Sequence, residues 1–220
     1  MQLIQDKDRV EIQKRFQDLK APVTIVFFTQ EMECAYCKDT HQLLEELASL
    51  SDKITLKVYD FVKDKTIADQ YGIDKIPAAI IMGEKDYGIR FYGIPSGYEF
   101  STLLEDLLMV SRRDSGLAPA TREALKDIST PLRLQVFVTP TCPYCPRAVF
   151  LAHQFAMESE HIVADGVEAT EYPHLSVKYS VRGVPKTVGN DKDVAEGAIP
   201  EAHLLQNVLS LVQQSAASLN

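Results

Sequence analysis

The chain has 220 residues, enough for one or two domains, with 45% hydrophobic and 25% charged side chains and a formal net charge of −8. So acidic a surface, with no Lys/Arg cluster to interrupt it, repels a phosphate backbone and argues against nucleic acid as a partner. The longest apolar runs, such as Val23–Phe28, fall far short of the roughly 18 residues that span a bilayer, so no membrane association is expected.

Taken in chain order, residues 6–19 carry Val10, Ile12, Phe16 and Leu19 at roughly helical spacing, which predicts an amphipathic helix. Val23–Phe28 is a β-branched and aromatic run and predicts a buried strand. After the first cysteine pair, residues 38–50 regain helical spacing at Leu43, Leu44, Leu47 and Leu50, and 54–59 alternate as a strand. A short helix over 66–71 follows, then strands at 78–82 and 88–91 around a turn at 83–86, and a helix over 98–110. The second half gives a helix over 120–128, strand 132–138, helix 148–157, strand 162–167 and a short helix near 175–179. Strands near 186–188 and 193–196 flank a turn at Gly189-Asn190, and a helix over 200–212 ends the pattern. The polar stretch 111–119 contains Arg112-Arg113-Asp114-Ser115-Gly116, so the expected division is into units 1–114 and 115–220. Helices alternating with strands and ending in a hairpin predict an α/β fold, a mixed central sheet with helices on both faces in each unit.

The halves are copies. A shift of 108 takes Cys34 to Cys142, Cys37 to Cys145, Tyr71 to Tyr179, Ile73 to Val181, Ile76 to Val184 and Pro77 to Pro185. It also takes the acid Asp60 to Glu168, and the core-type Leu43 and Leu47 to Leu151 and Phe155. Small insertions are confined to the segment before the first cysteine pair and to the last hairpin. The four cysteines form two Cys-x-x-Cys pairs with none left over, which at this chain length indicates redox chemistry or a metal rather than a stapled secreted fold. Two such pairs can build a tetrahedral zinc site, and a cysteine-bound cluster between two chains is a further arrangement. Here, however, each pair sits in its own repeat ahead of a helix.

A cysteine at a helix N-terminus faces unpaired N–H groups and the positive end of the dipole, which favour its thiolate. A second cysteine one turn on can attack the mixed disulfide that forms. This reading makes Cys34 and Cys142 the nucleophiles and Cys37 and Cys145 the resolving thiols. In the second unit Thr139-Pro140-Thr141 supplies a turn with cap-type hydroxyls, and Pro143 suits a first helical turn. On that ground the second site is expected to be the stronger. Tyr36 and Tyr144 lie between the sulfurs as candidates for substrate contact. Asp60 and Glu168, at the ends of the second strands, are candidates for proton transfer, with helix capping as the plainer role. His41 has no counterpart in the second repeat and reads as a locally bonded side chain.

The segment Phe137-Val138-Thr139-Pro140-Thr141-Cys142-Pro143-Tyr144-Cys145 resembles the active-site segment of glutaredoxins, and Ile76-Pro77 and Val184-Pro185 match the cis-proline position of the thioredoxin superfamily. Over nearly its whole length the chain resembles the glutaredoxin-like protein disulfide oxidoreductases of thermophilic archaea and bacteria. That resemblance implies two connected thioredoxin folds that reduce, oxidise and isomerise protein disulfides, with a thioredoxin reductase as electron supplier and no bound cofactor. It also implies that the backbone of Ile76 and Val184 faces the sulfurs and pairs with an extended substrate segment. The first tetrad, Cys34-Ala35-Tyr36-Cys37, departs from the pattern with Ala for Pro. The buried carboxylate of the thioredoxin motif strand is replaced by Phe27, Phe28 and Val138. The end of the last hairpin, Glu196-Gly197-Ala198-Ile199-Pro200, lacks the acidic pair that glutaredoxins offer to glutathione, so protein dithiols and disulfides are the expected substrates. An electron-relay module for a peroxidase and a chaperone-like binding module with incidental thiols are the competing readings.

The N-terminus, Met1-Gln2-Leu3-Ile4-Gln5-Asp6-Lys7-Asp8, has neither the basic start nor the apolar stretch of a secretory signal, so the expected location is cytoplasmic. Asn occurs only at 190, 207 and 220, a scarcity consistent with a thermophilic source.

Overall fold

A computed structural model describes residues 2–217. In chain order the elements are α1 (Asp6–Phe16), β1 (Val23–Thr29), α2 (Cys37–Ala48), β2 (Ile54–Asp60), α3 (Lys65–Gln70), β3 (Ala78–Met82), β4 (Asp86–Tyr92) and α4 (Glu99–Arg112). The pattern then repeats as α5 (Pro119–Lys126), β5 (Leu132–Val138), α6 (Cys145–Glu158), β6 (Ile162–Glu168), α7 (Pro173–Lys178), β7 (Lys186–Gly189), β8 (Lys192–Glu196) and α8 (Glu201–Ala217).

In each repeat the strand that leads to the cysteines is central. β1 runs parallel to β2 and antiparallel to β3, and β5 runs parallel to β6 and antiparallel to β7. The expectation of a mixed α/β fold is met, with one addition. The two half-sheets join through a parallel pairing of β4 with β6, Ile89 opposite Ala164 and Tyr92 opposite Val167, into one eight-stranded sheet ordered β2-β1-β3-β4-β6-β5-β7-β8. Both faces are covered, so successive side chains of β1 enter different cores. Ile25 and Phe27 join the larger core under the long helices, while Val26 and Phe28 join the smaller one under α3 and α7. The larger core is continuous across the repeats, containing Leu44 and Leu107 from the first and Phe155 and Val208 from the second.

Several boundaries differ from those expected. α1 stops at Phe16, and Val10 points outward, 67% exposed, so Ile12 and Phe16 carry the buried stripe while Leu19 is buried beyond the helix. α6 begins at Cys145, three residues earlier than its apolar spacing suggests, because Pro146 occupies its first turn. Pro143 therefore lies in the turn ahead of the helix. The last hairpin turns on Asn190-Asp191, both in the left-handed region (φ 44° and 66°), and Gly189 is the last residue of β7. β4 extends to Asp86, which pairs with Met82 of β3, and the Asp86 carboxylate holds the Arg90 guanidinium along the strand at 2.5 Å. Among the described residues, no helix is long and apolar enough to cross a membrane.

Candidate active sites

Each cysteine pair straddles the junction of a central strand and the helix that follows. Cys37 and Cys145 are the first residues of α2 and α6, and Cys34 and Cys142 precede them by three positions. Both couples are closed as disulfides with Cα–Cα separations of 5.5 Å, so each resolving sulfur is within bonding reach of its partner. In each couple the earlier sulfur belongs to the more accessible residue. Cys34 is half-buried against 1% exposure for Cys37, and Cys142 is 8% exposed against 0% for Cys145. Cys142 accepts the N–H of Cys145 at 3.2 Å, the kind of helix-start donor that favours a thiolate. The turn ahead of it is closed by the N–H of Cys142 on the Thr139 carbonyl (3.1 Å). The capping hydroxyl expected from this segment is not used at the helix start, where Tyr144 is the N-cap without a side-chain bond. Tyr36 and Tyr144 are both exposed beside the sulfurs.

The bonds Ile76-Pro77 and Val184-Pro185 are both cis. Both prolines are buried, and Ile76 and Val184 are half-buried. The Val184 carbonyl lies 3.7 Å from Cys142 Sγ, which places the proline turn directly against the second site. The carbonyls of Pro77 and Pro185 accept the N–H groups of Gly93 (2.9 Å) and Gly197 (2.8 Å) in matched fashion. Beside Val184-Pro185 opens a cavity of about 510 Å³, lined also by Arg182, Lys186, Asp193 and Glu196.

The acids divide sharply. Asp60 accepts the N–H groups of Val62 (3.0 Å) and Lys63 (2.8 Å) and pairs with the Lys63 ammonium, and these donors hold its pKa below the usual carboxylate range. It closes a turn. Glu168 is buried; one oxygen accepts the Thr170 hydroxyl (2.6 Å) and the Glu171 N–H (2.7 Å), while the other has no partner.

A further buried carboxyl lies on a helix. α4 and α6 run side by side in the same sense: the Tyr98 N–H donates to the Pro140 carbonyl (2.9 Å) at one end, and Asp106 meets His153 Nδ1 at 2.7 Å farther along. Glu99 lies seven residues back from Asp106, and Cys145 eight back from His153, so at about 1.5 Å per residue they share one level. Glu99 is 3% exposed, accepts the Thr102 hydroxyl at 3.3 Å with one oxygen, and has no partner for the other. Burial pushes its pKa up to about 7, against the charge of His153. The strand positions Phe27, Phe28 and Val138 are indeed apolar and buried, and Glu99, at the level of Cys145, belongs to a helix of the first repeat. Its signal lies in α4, where Glu99 and Asp106 share one buried helical stripe with the apolar Leu103 and Val110, so two acids interrupt a core-facing row.

His41 stacks on Phe27 and pairs with Glu45 at 3.3 Å, a local role. Among the described residues, no group of three or more His, Cys, Asp or Glu side chains is arranged to hold a metal ion.

A thioredoxin-domain family profile matches residues 132–210. The fold superposes on a protein disulfide oxidoreductase from Aeropyrum pernix with a TM-score of 0.92 and 31% identity, covering 96% of this chain and 94% of that one. It also superposes on the N-terminal domain of the alkyl hydroperoxide reductase AhpF from Enterococcus faecalis, with a TM-score of 0.85 and 24% identity over 92% of this chain and 98% of that one, a likeness of fold. The corresponding alkyl hydroperoxide reductase protein from Escherichia coli is 22% identical over 209 residues, 95% of this chain but 38% of that protein. The chain thus spans about a third of the length of the curated relatives it matches.

Proposed function

The chain belongs to the family of protein disulfide oxidoreductases built from two thioredoxin-type units, and from that premise we propose how its residues carry out dithiol–disulfide exchange on protein substrates. The Cys142 thiolate attacks one sulfur of a substrate disulfide, forming a mixed disulfide and releasing the other substrate sulfur as thiolate. Cys145 then loses its proton and attacks Cys142 Sγ, which closes the 142–145 bond and releases the substrate dithiol. Two electrons pass from the cysteine couple to the substrate. Glu99 accepts the Cys145 proton and delivers it to a leaving thiolate. Its partnerless oxygen, its pKa of about 7 and its level on α4 support this role. Asp60 is a poor candidate for the matching task at the first site, because its turn bonds keep it ionised and weakly basic. Glu168 keeps its candidacy through its partnerless buried oxygen. Ile76-Pro77 and Val184-Pro185 present backbone to an extended substrate segment, with Tyr36 and Tyr144 at its flank.

The observation that carries the reading is the Cys142 sulfur, held by a helix-start N–H on one side and met by the Val184 carbonyl on the other. Insulin reduction and refolding of scrambled ribonuclease, run on wild type and on Cys34→Ser, Cys142→Ser and the double variant, test it. A wild type inactive in both assays refutes it, and one that still suppresses aggregation favours the chaperone-like alternative.

The likeness to the alkyl hydroperoxide reductase protein of Escherichia coli favours a second reading, in which the chain relays electrons to a peroxidase. Rapid oxidation of the reduced protein by a peroxidase, with insulin untouched, would establish it. Division at residues 114 and 115, between α4 and α5, a thioredoxin reductase as donor, a cytoplasmic location and a thermophilic source complete the proposal. NADPH-coupled reduction by a thioredoxin reductase, cell fractionation and a thermal midpoint test the last three.

A further inference from the structure

The two repeats treat the loop after their second strand differently. In the first repeat that strand, β2, is a sheet edge, and the loop after it bonds to itself: Asp60 holds Val62 and Lys63, and Asp64 accepts the Asp60 N–H at 2.8 Å. The shift of 108 takes Lys63 to Glu171 and Asp64 to Tyr172. In the second repeat the corresponding strand, β6, has β4 of the first repeat beside it. Its loop is therefore pressed against the end of β4 and the proline turn of the first site. There the buried Tyr172 donates its hydroxyl to the Pro77 carbonyl (3.2 Å), and Glu171 accepts the N–H of Ile94 (2.7 Å). Gly93 (φ +89°) permits the approach, since a Cβ there would stand 2.7 Å from Glu168 Cβ. Among the described residues, no hydroxyl makes the matching bond at Pro185.

We propose that Tyr172, from the second repeat, is a positioning residue for the Cys34–Cys37 site of the first. The inference rests on the reading that the proline turns bind substrate backbone. The Pro77 carbonyl is fixed by two donors, Gly93 N–H and Tyr172 O–H, and that carbonyl fixes the turn on which Ile76 meets the incoming segment. Removing the hydroxyl leaves the carbonyl satisfied by Gly93 and the fold intact. The turn gains freedom, so polypeptide binding weakens, while sulfur exchange itself is unchanged.

The test uses the full chain with one site silenced, either Cys142→Ser/Cys145→Ser or Cys34→Ser/Cys37→Ser, with and without Tyr172→Phe. Insulin reduction gives KM and kcat, and a small aryl disulfide with no backbone to pair serves as the second substrate. With only the first site working, Tyr172→Phe should raise KM for insulin about two- to tenfold, the worth of a single net hydrogen bond. Its kcat and its rate with the aryl disulfide should hold, and the protein with only the second site should not respond. An active first-site parent whose KM ignores Tyr172→Phe overturns the positioning role alone, as does an equal loss at both sites. A first-site parent with native Tyr172 that reduces the aryl disulfide but not insulin overturns the substrate-binding reading, and the positioning role with it.

Discussion

Replacing Glu99 with Gln should make the protein more stable and less active, with both effects tied to one titration. Burial raises the Glu99 pKa from its ordinary 4.5 to about 7. An acid whose folded value lies above its unfolded one binds its proton more tightly in the folded chain. Stability is therefore full below the unfolded value, falls as pH rises from about 4.5 to about 7, and stays level above that. At 1.36 kcal/mol for each pH unit of that span, the ionised carboxylate costs about 3 kcal/mol by pH 8. The side chain is almost fully buried, so solvent screens little of this. Urea unfolding of the oxidised protein at fixed salt should show Glu99→Gln more stable than wild type by about 3 kcal/mol at pH 8, and by little at pH 4.5. Turnover by the second site alone should rise through an inflection near pH 7 in the wild type, as Glu99 becomes able to take the Cys145 proton. The variant should lack that inflection and run slower by about 10²-fold, the lower end of what a lost acid–base group costs. Equal stability differences at the two pH values, or an inflection that survives in the variant, would refute the assignment. Asp106 and His153 face Glu99 from α4 and α6, and their opposed effects on its charge are already contained in the value of about 7.

Cys142→Ser should remove more insulin reductase activity than Cys34→Ser, and equal losses would show that the accessible Cys34 compensates. Arg133→Ala should destabilise the fold by about 3 kcal/mol, because it strands the fully buried Asp165 carboxylate that Arg133 Nε meets at 2.6 Å. A change under about 1 kcal/mol in urea unfolding would mean that the nearby Lys75 suffices as counter-ion. Gly88→Ala should cost about 2 kcal/mol or more at the seam between repeats, since Gly88 has φ +80° and a Cβ there would stand 2.5 Å from the Ile162 carbonyl. An unchanged urea midpoint would show that β4 can shift against β6 without penalty.

Much of this architecture is legible in the sequence, because each repeat writes its local structure in apolar spacing. The stripe of Leu43, Leu44 and Leu47 and the run Val23–Phe28 predict α2 and β1 to within a residue or two. The cysteine spacing and the proline offset predict which segments meet, and Cys142 does lie against Val184. What the sequence hides is the seam. β2 and β6 occupy equivalent places, yet β2 exposes Thr55, Lys57 and Val58 at an edge while β6 is buried nearly throughout. β6 carries the small Ala164 and Gly166 where neighbours crowd in, but nothing in Ile162–Glu168 names β4 as the partner. Glu99 was hidden for a related reason. It belongs to the first repeat yet stands level with Cys145 of the second, and the shift of 108 takes it to Asn207, so the repeat carries no second copy of the acid.

A duplicated sheet joined side to side cannot keep its halves equivalent, and this bears on the two redox sites more than the Ala35/Pro143 difference between their tetrads does. Pro143 precedes α6 and makes no contribution to the helix start, so the expected advantage of the second tetrad loses its physical basis there. Position in the sheet supplies another. The second site has α4 of the first repeat along its helix, bringing a buried acid that can change charge near neutral pH. The first site's candidate acid, Asp60, spends both its oxygens on a solvent-facing turn. Two sequence-similar thiol pairs thus face different proton environments because β6 of the second repeat lies at the seam with β4, while its counterpart β2 is a sheet edge. Proton transfer is required before a buried thiol can attack, so the two sites should differ chiefly in the pH dependence of their resolving steps.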